Sequence, residues 1–223
     1  MICIVGTSHA PGIFREAARL KGIEQTDDPT KASLILLAQD APIGEGGMRD
    51  LSEVKDYVLW AAALNDCPII LSTQVMPGFT RQFGMARLYH MAETLRIKDA
   101  LERAVHPEQI VIGCMDPAMR LPPSMWDYLA NFGCPIWTMT YEDAEFSKIA
   151  INAFLAAQVD CTNNLAAVGG FLGLDWHTIA RVLKHDRRIG RWAYLEPGDW
   201  RQSKHLLRDM VWLESMRSYG PDQ

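Results

Sequence analysis

The chain has 223 residues, 48% hydrophobic and 22% charged, with a formal net charge of -5. This is the make-up of a soluble globular protein of one large or two small domains, and it excludes a basic nucleic-acid footprint. No apolar run approaches the roughly 20 residues that a membrane span needs. Met1 to Gly12 has neither a basic region nor a long apolar stretch, so no signal peptide is expected. The five cysteines, Cys3, Cys67, Cys114, Cys134 and Cys161, lack CxxC spacing and read as buried reduced thiols. The expected location is the cytoplasm.

In chain order, Ile2 to Val5 is a short apolar run ending at Gly6, which reads as a buried strand. Ile13 to Leu20 reads as a helix closed by Gly22, and Leu34 to Leu37 as a second strand. A loop follows from Pro42 to Gly47. Asp50 and Glu53 are spaced as a capping box for a helix to about Asn65. Pro68 to Leu71 is a third strand, Met76 to Gly78 a turn, and Arg81 to Leu95 an expected helix. Ile110–Ile112 and Pro135–Trp137 are further strands, with a helix near Ser124–Asn131 between them. From Glu142 the pattern changes: Ile149, Ala153, Ala157, Cys161, Leu165 and Val168 recur at helical spacing, predicting one long helix to about Leu172. Asp175–Leu183 and Ser203–Met216 complete a helical region.

Strands alternating with helices predict an α/β fold: a reduced Rossmann-like parallel sheet over residues 1–140, then an all-helical domain with one long helix over 141–223.

Four groups of residues, in order and at consistent spacing, resemble the UDP-glucose/GDP-mannose dehydrogenases. Asp50 to Val54 follows a strand and the Pro42 loop. Ser72-Thr73 with Pro77 to Thr80 is similar to that family's S-T-V-P-P-G-T. Glu93 with Leu95-Arg96, followed by His106 to Gly113, is similar to its N-P-E-F-L-R-E-G and P-D-R-I-V-I-G. Ala144-Glu145 with Lys148 leads through Asn152 to Asn163, then Gly173 with Asp175, Asp186 to Gly190, and Leu195 with Pro197-Gly198.

The resemblance implies NAD as cofactor, no metal, and a twofold oxidation of a nucleotide sugar through a cysteine-bound intermediate. Such chemistry needs a low-pKa thiol. The family's G-F-G-G-S-C-x-x-K-D reads here as Gly198 to Asp209, and counting back from Asp209 places His205 where the cysteine belongs. No cysteine follows Cys161. Thr73, Glu93, Lys148, Asn152 and Asp209 match positions that hold the substrate, the attacking water and the oxyanion. A cationic Lys148 beside a developing alkoxide would stabilise it. The family's second acid in the Glu93 motif is Ile97, and the lysine before Asp209 is Arg208.

Candidate cofactor-binding residues are Gly6, Ser72 and Thr73. A dinucleotide loop needs G-x-G-x-x-G, and after Gly6 the next two glycine positions hold Ser8 and Pro11. Ala10 to Ile13 instead resembles a family segment, E-P-G-L, found after the second strand, and Thr26-Asp27-Asp28 the T-T-D that follows it. This alignment removes the first helix and second strand, and the ribose-binding acid with them. The family's C-terminal nucleotide-binding domain is expected to be absent after Gln223.

Plainer readings stand beside these. Lys148 also reads as a solvated charge, His205 and Asp209 as a local pair one helical turn apart, Gly6 as a strand end, Pro77-Gly78 as a turn, and Cys161 as packing. Asn163 and Asn164 either bond across a helix interface or line a residual site. Trp192, Trp200 and Trp212 read either as a sugar-stacking set or, more economically, as a protein-facing patch. The long helix over 142–172 is expected to make a homodimer or higher oligomer. Two functions of different class result. One is a pseudoenzyme acting through an interface or a retained nucleotide-sugar ligand. The other is an active NAD-dependent oxidoreductase that stops at the aldehyde. Neither reading involves nucleic acid or a membrane.

Overall fold

The computed structural model describes residues 1–42, 49–92, 95 and 98–217. The expected site residue Glu93, its neighbour Ile97, and the expected Pro42–Gly47 loop beyond Pro42 lie outside them. The chain forms two compact units, Met1–Lys148 and Ile149–Gln223.

The first unit is built on a six-stranded sheet. β1 (Ile2–Val5), β2 (Leu34–Leu37) and β3 (Ile69–Leu71) are the three apolar runs of the sequence. A parallel strand covered on both faces has no polar side to alternate with, and every residue of β2 and β3 is buried. α1 (His9–Leu20) joins β1 to β2, and α2 (Ser52–Leu64) joins β2 to β3. Then come β4 (Leu88–Met91), α3 (Ala100–Val105), β5 (Ile110–Cys114), α4 (Pro123–Ala130) and β6 (Ile136–Thr140). The strands lie in sequence order across the sheet. β1 to β4 are mutually parallel, β5 is antiparallel to β4, and β6 is parallel to β5. The sheet is thus mostly parallel rather than wholly so.

β4 corrects the sequence reading, which expects a helix over Arg81–Leu95. Thr80–Phe83 winds as a single 3-10 turn and stops at Gly84, whose φ of +61° favours glycine. All four residues of β4 are buried, Leu88 in the core on one face and Tyr89 and Met91 in the core on the other. A strand with no solvent face carries no alternating signal. The capping box is also revised. α2 begins at Ser52, Asp50 Oδ1 accepts from Ser52 N at 2.9 Å, and Glu53 turns instead to Gln39.

The two faces of the sheet carry different helices. Phe14 and Ala18 of α1 pack with Ile2, Ile4, Leu34 and Leu36. Val54, Val58 and Ala61 of α2 pack with Cys3, Ile35, Leu37 and Leu71. Successive strand residues point to opposite faces, so α1 and α2 lie on opposite sides. Both crossovers step in the same direction along the sheet, so they have opposite hands. One of them therefore departs from the right-handed rule for such connections.

β1 borders the sheet, and its outer side is partly covered. Ile2 N–H donates to Glu24 O at 2.9 Å and Ile2 O accepts from Thr26 N at 3.0 Å, one parallel rung at Gln25. The next outward carbonyl, Ile4 O, accepts from the guanidinium of Arg15 at 2.7 Å.

The second unit contains most of α5 (Tyr141–Phe171), a helix of 31 residues, with α6 (Trp176–His185) and α7 (Lys204–Arg217). Trp176, Ala180 and Leu195 form its small core. The segment before α7 is laced to α5 by side chains. Tyr194 N donates to Gln158 Oε1, Thr162 Oγ1 donates to Tyr194 O, and the Trp200 indole N–H donates to Asp160 at 2.8 Å. Asn163 both donates to Gly198 O (2.7 Å) and accepts from Gly198 N (2.9 Å), in the non-helical segment before α7. Cys161 is exposed rather than packed, and Cys67 and Cys134 are half-buried, so the expectation of buried thiols holds at Cys3 and Cys114. Among the described residues no helix is long and apolar enough to cross a membrane.

Candidate functional site

The carboxyl ends of β1, β2 and β3 meet where α1 and α2 leave to opposite faces. Diverging connections of this kind open the crevice in which α/β sheets bind ligands. Gly6, Ser72 and Thr73 all lie here. Thr73 is 2% exposed, and its hydroxyl donates to Gln39 O at 2.7 Å. Ser72 Oγ is buried without a hydrogen-bond partner among the described residues.

Gln39, which the sequence did not single out, ties the crevice together. Thr7 N–H donates to Gln39 Oε1 at 2.8 Å, while Gln39 Nε2 donates to Thr7 Oγ1 and to Glu53 Oε2, each at 3.1 Å. Ser8 Oγ donates to Ala38 O at 3.0 Å. Gly6 has a φ of +145°, and a Cβ placed on it would stand 2.5 Å from Ala38 O and 2.7 Å from Pro11 Cγ. A dinucleotide requires free backbone N–H groups at this turn, room for the pyrophosphate, and an acid on the ribose at the end of the neighbouring strand. Here the Thr7 N–H is taken, the space beside Gly6 is filled, and among the described residues the neighbour of β1 on that side is a single rung. These residues do not fit NAD in that pose.

A buried carboxylate holds the turn that follows β3. Glu145 of α5 is 1% exposed, and its two oxygens accept from Gly78 N (2.5 Å) and Thr80 N (2.8 Å). The carboxylate so holds the Pro77–Thr80 turn, which the sequence reads as family motif and as plain turn alike. Burial pushes its pKa up, against the lowering effect of the Thr80 and Gly78 donors. His90 of β4 is fully buried, and burial, aided by the charge of Arg49, lowers its pKa to about 3.

In the second unit the fold brings together Asn152, His205 and Asp209. Asp209 is completely buried. Its oxygens accept from Asn152 Nδ2 at 2.6 Å and from Arg208 Nε at 3.0 Å. His205 is exposed, and its Nδ1 lies 3.4 Å from Arg208 Nη1. Since guanidinium only donates, Nδ1 is the acceptor wherever this contact is a hydrogen bond. Arg208 therefore stands as the link between His205 and Asp209. Lys148, the last residue of the first unit, is half-buried. The thiols of Cys3, Cys67, Cys114 and Cys134 all have pKa values raised by burial, the reverse of what a nucleophile needs.

Residues 142–210 match the model of the UDP-glucose/GDP-mannose dehydrogenase family, central domain. The chain is 27% identical over 182 residues to a UDP-glucose 6-dehydrogenase of Streptococcus pneumoniae, covering 72% of this chain and 46% of the relative. It is 28% identical over 177 residues to the enzyme of that name from Pseudomonas aeruginosa, covering 71% and 39%. The chain thus spans about half the length, or less, of these curated relatives. Among solved structures it is similar in fold to a UDP-glucose dehydrogenase from Pyrobaculum islandicum, with a TM-score of 0.72 at 20% identity over 96% of this chain and 64% of that one. A UDP-D-ManNAc dehydrogenase from Pyrococcus horikoshii superposes with a TM-score of 0.66 at 14% identity, over 96% and 70%. The chain is thus similar in sequence and fold to UDP-glucose/GDP-mannose dehydrogenases, and its residues 142–210 match that family's central domain.

Proposed function

We propose that the chain is a non-catalytic, self-associating member of this family. The observation that carries the reading is the Asn152–Asp209–Arg208 cluster. Both oxygens of Asp209 accept bonds from protein donors, and the carboxylate is sealed from solvent. A group so held acts as a structural counter-charge rather than as a proton acceptor open to substrate. His205 stands where the thiol is expected, and imidazole beside a guanidinium does not replace a thiolate that must carry an acyl intermediate.

A second copy of the chain is the partner that α5 fits. Phe154, Cys161, Leu165, Val168 and Leu172 are all exposed, and they are spaced 7, 4, 3 and 4 residues apart, the seam of a helix pair. Between Phe146 and Gly173 the sequence is charged only at Lys148 and Asp160.

The alternative is an oxidoreductase that uses NAD and stops at the aldehyde, favoured by the presence of Thr73, Lys148, Asn152 and Asp209 at family positions. The deciding assay incubates the purified chain with UDP- and GDP-sugars and NAD, and also with a dye as electron acceptor. The proposal expects no sugar-dependent reduction of either. Turnover that Lys148→Ala abolishes would establish the alternative.

A further inference from the structure

We infer that the crevice between β1 and β2 is latched shut by Gln39 and refuses dinucleotides. This deepens the reading above by naming the cofactor that is turned away. Four observations converge on it.

The first is the hydrogen-bond inventory. A pyrophosphate is held by backbone N–H groups that have no other acceptor. The Thr7 N–H, first in the turn after Gly6, already donates to Gln39 Oε1 at 2.8 Å. Pro11, in the first turn of α1, has no N–H to offer.

The second is space. The volume beside Gly6 is filled from both sides, by Ala38 O and by the Pro11 ring. In a dinucleotide turn, glycine exists to let the ligand approach. Here it lets the chain approach itself.

The third is charge. The polar groups near Gln39 include the carbonyl of Ala38 and the carboxylate of Glu53, the latter 3.1 Å from Gln39 Nε2. Acceptors of this kind repel a diphosphate. The Thr7, Ser8 and Thr73 hydroxyls are already engaged with Gln39 or Ala38.

The fourth is the sheet border. The adenosine ribose of a bound dinucleotide is held by an acid at the end of the strand next to β1. Among the described residues the pairing on that side of β1 is the Glu24–Thr26 rung at Ile2, at the opposite end of β1 from the crevice, so no paired strand there carries an acid to the crevice.

Gln39 is 5% exposed, and its side chain bonds to two separate elements, the β1–α1 turn and the start of α2. It therefore acts as a strut across the opening.

The experiment has two arms on the full chain. NADH is titrated to millimolar concentration, and its fluorescence enhancement is followed, with NAD as competitor. No saturable signal is expected, and saturable NADH binding that NAD displaces overturns the inference. In the second arm, amide hydrogen exchange at Thr7 is measured in the wild type and in Gln39→Ala. Exchange is expected to be protected in the wild type and roughly tenfold faster in the variant, as the loss of one such bond implies. A Thr7 amide that exchanges equally fast in both overturns the latch. The outcome separates from that of the proposed function. Binding of NADH without turnover would defeat the latch alone, whereas dye-linked sugar oxidation without NADH binding would defeat the non-catalytic reading alone.

Discussion

Asn152 donates its side-chain amide to Asp209 across 2.6 Å, joining α5 to α7 at a carboxylate with no solvent exposure. Arg208, whose side chain is 5% exposed, supplies the opposing charge. Breaking one partner of a buried ion pair costs about 3–5 kcal/mol, because the other charge stays behind in a low dielectric. Asp209→Ala should lose stability on that scale, and Asn152→Ala about 1–2 kcal/mol, the loss of one buried hydrogen bond. Urea denaturation midpoints measure both. Equal stability of Asp209→Ala and wild type would show that the cluster is not structural.

Glu145→Ala should unfold the turn at Gly78 and Thr80 by removing the acceptor of both N–H groups. The expected cost is about 2 kcal/mol, with Glu145→Gln losing less because one acceptor oxygen remains. The same denaturation series tests the ranking.

His90 predicts an acid-labile fold. Its imidazole is neutral in the folded chain down to a pKa of about 3, whereas the unfolded chain takes up the proton near 6.5. Between those values the unfolded state binds more protons, so stability is full above pH 6.5 and falls as pH drops towards 3. The shift of 6.5 minus 3 corresponds to about 5 kcal/mol at most. His90→Leu should flatten this part of the stability–pH curve. If it leaves the slope unchanged, the proton uptake belongs elsewhere.

Gly6→Ala should be costly even though the residue is small. Its Cβ would press on Ala38 O, a backbone atom that cannot swing away, at a φ of +145°. A loss of at least about 2 kcal/mol is expected in thermal or chemical unfolding.

Self-association should be broken at the exposed seam of α5. Phe154 and Val168 are 73% and 57% exposed. Phe154→Glu with Val168→Glu should give a monomer by light scattering without lowering the unfolding midpoint. A wild-type chain that is already monomeric at high concentration would sink the interface.

Much of this fold was legible because its strands are unbroken apolar runs and α5 repeats at helical spacing. β4 was not, since Leu88-Tyr89-His90-Met91 is buried on both faces and shows no period of two, while the residues before it look helical until Gly84 stops them. The carboxylate of Asp209 was found through resemblance alone, because Asn152 lies 57 positions away. Arg208, which reaches both His205 and Asp209 from the intervening position, was not legible as their link in the sequence. Gln39 left no mark at all. A single glutamine after a strand is unremarkable in sequence, and its partners Thr7 and Glu53 lie 32 and 14 positions away.

The border of β1 has a consequence for how copies of this chain can meet. A bare strand edge is a template on which foreign strands add and fibrils grow. Here a newcomer would find the first pairing position taken by the chain's own residues 24–26, and the next carbonyl under the guanidinium of Arg15. Growth from this border is terminated as a polymer end is capped, after one unit. Concentrated solutions should therefore add no strand at β1, whatever association the helices make.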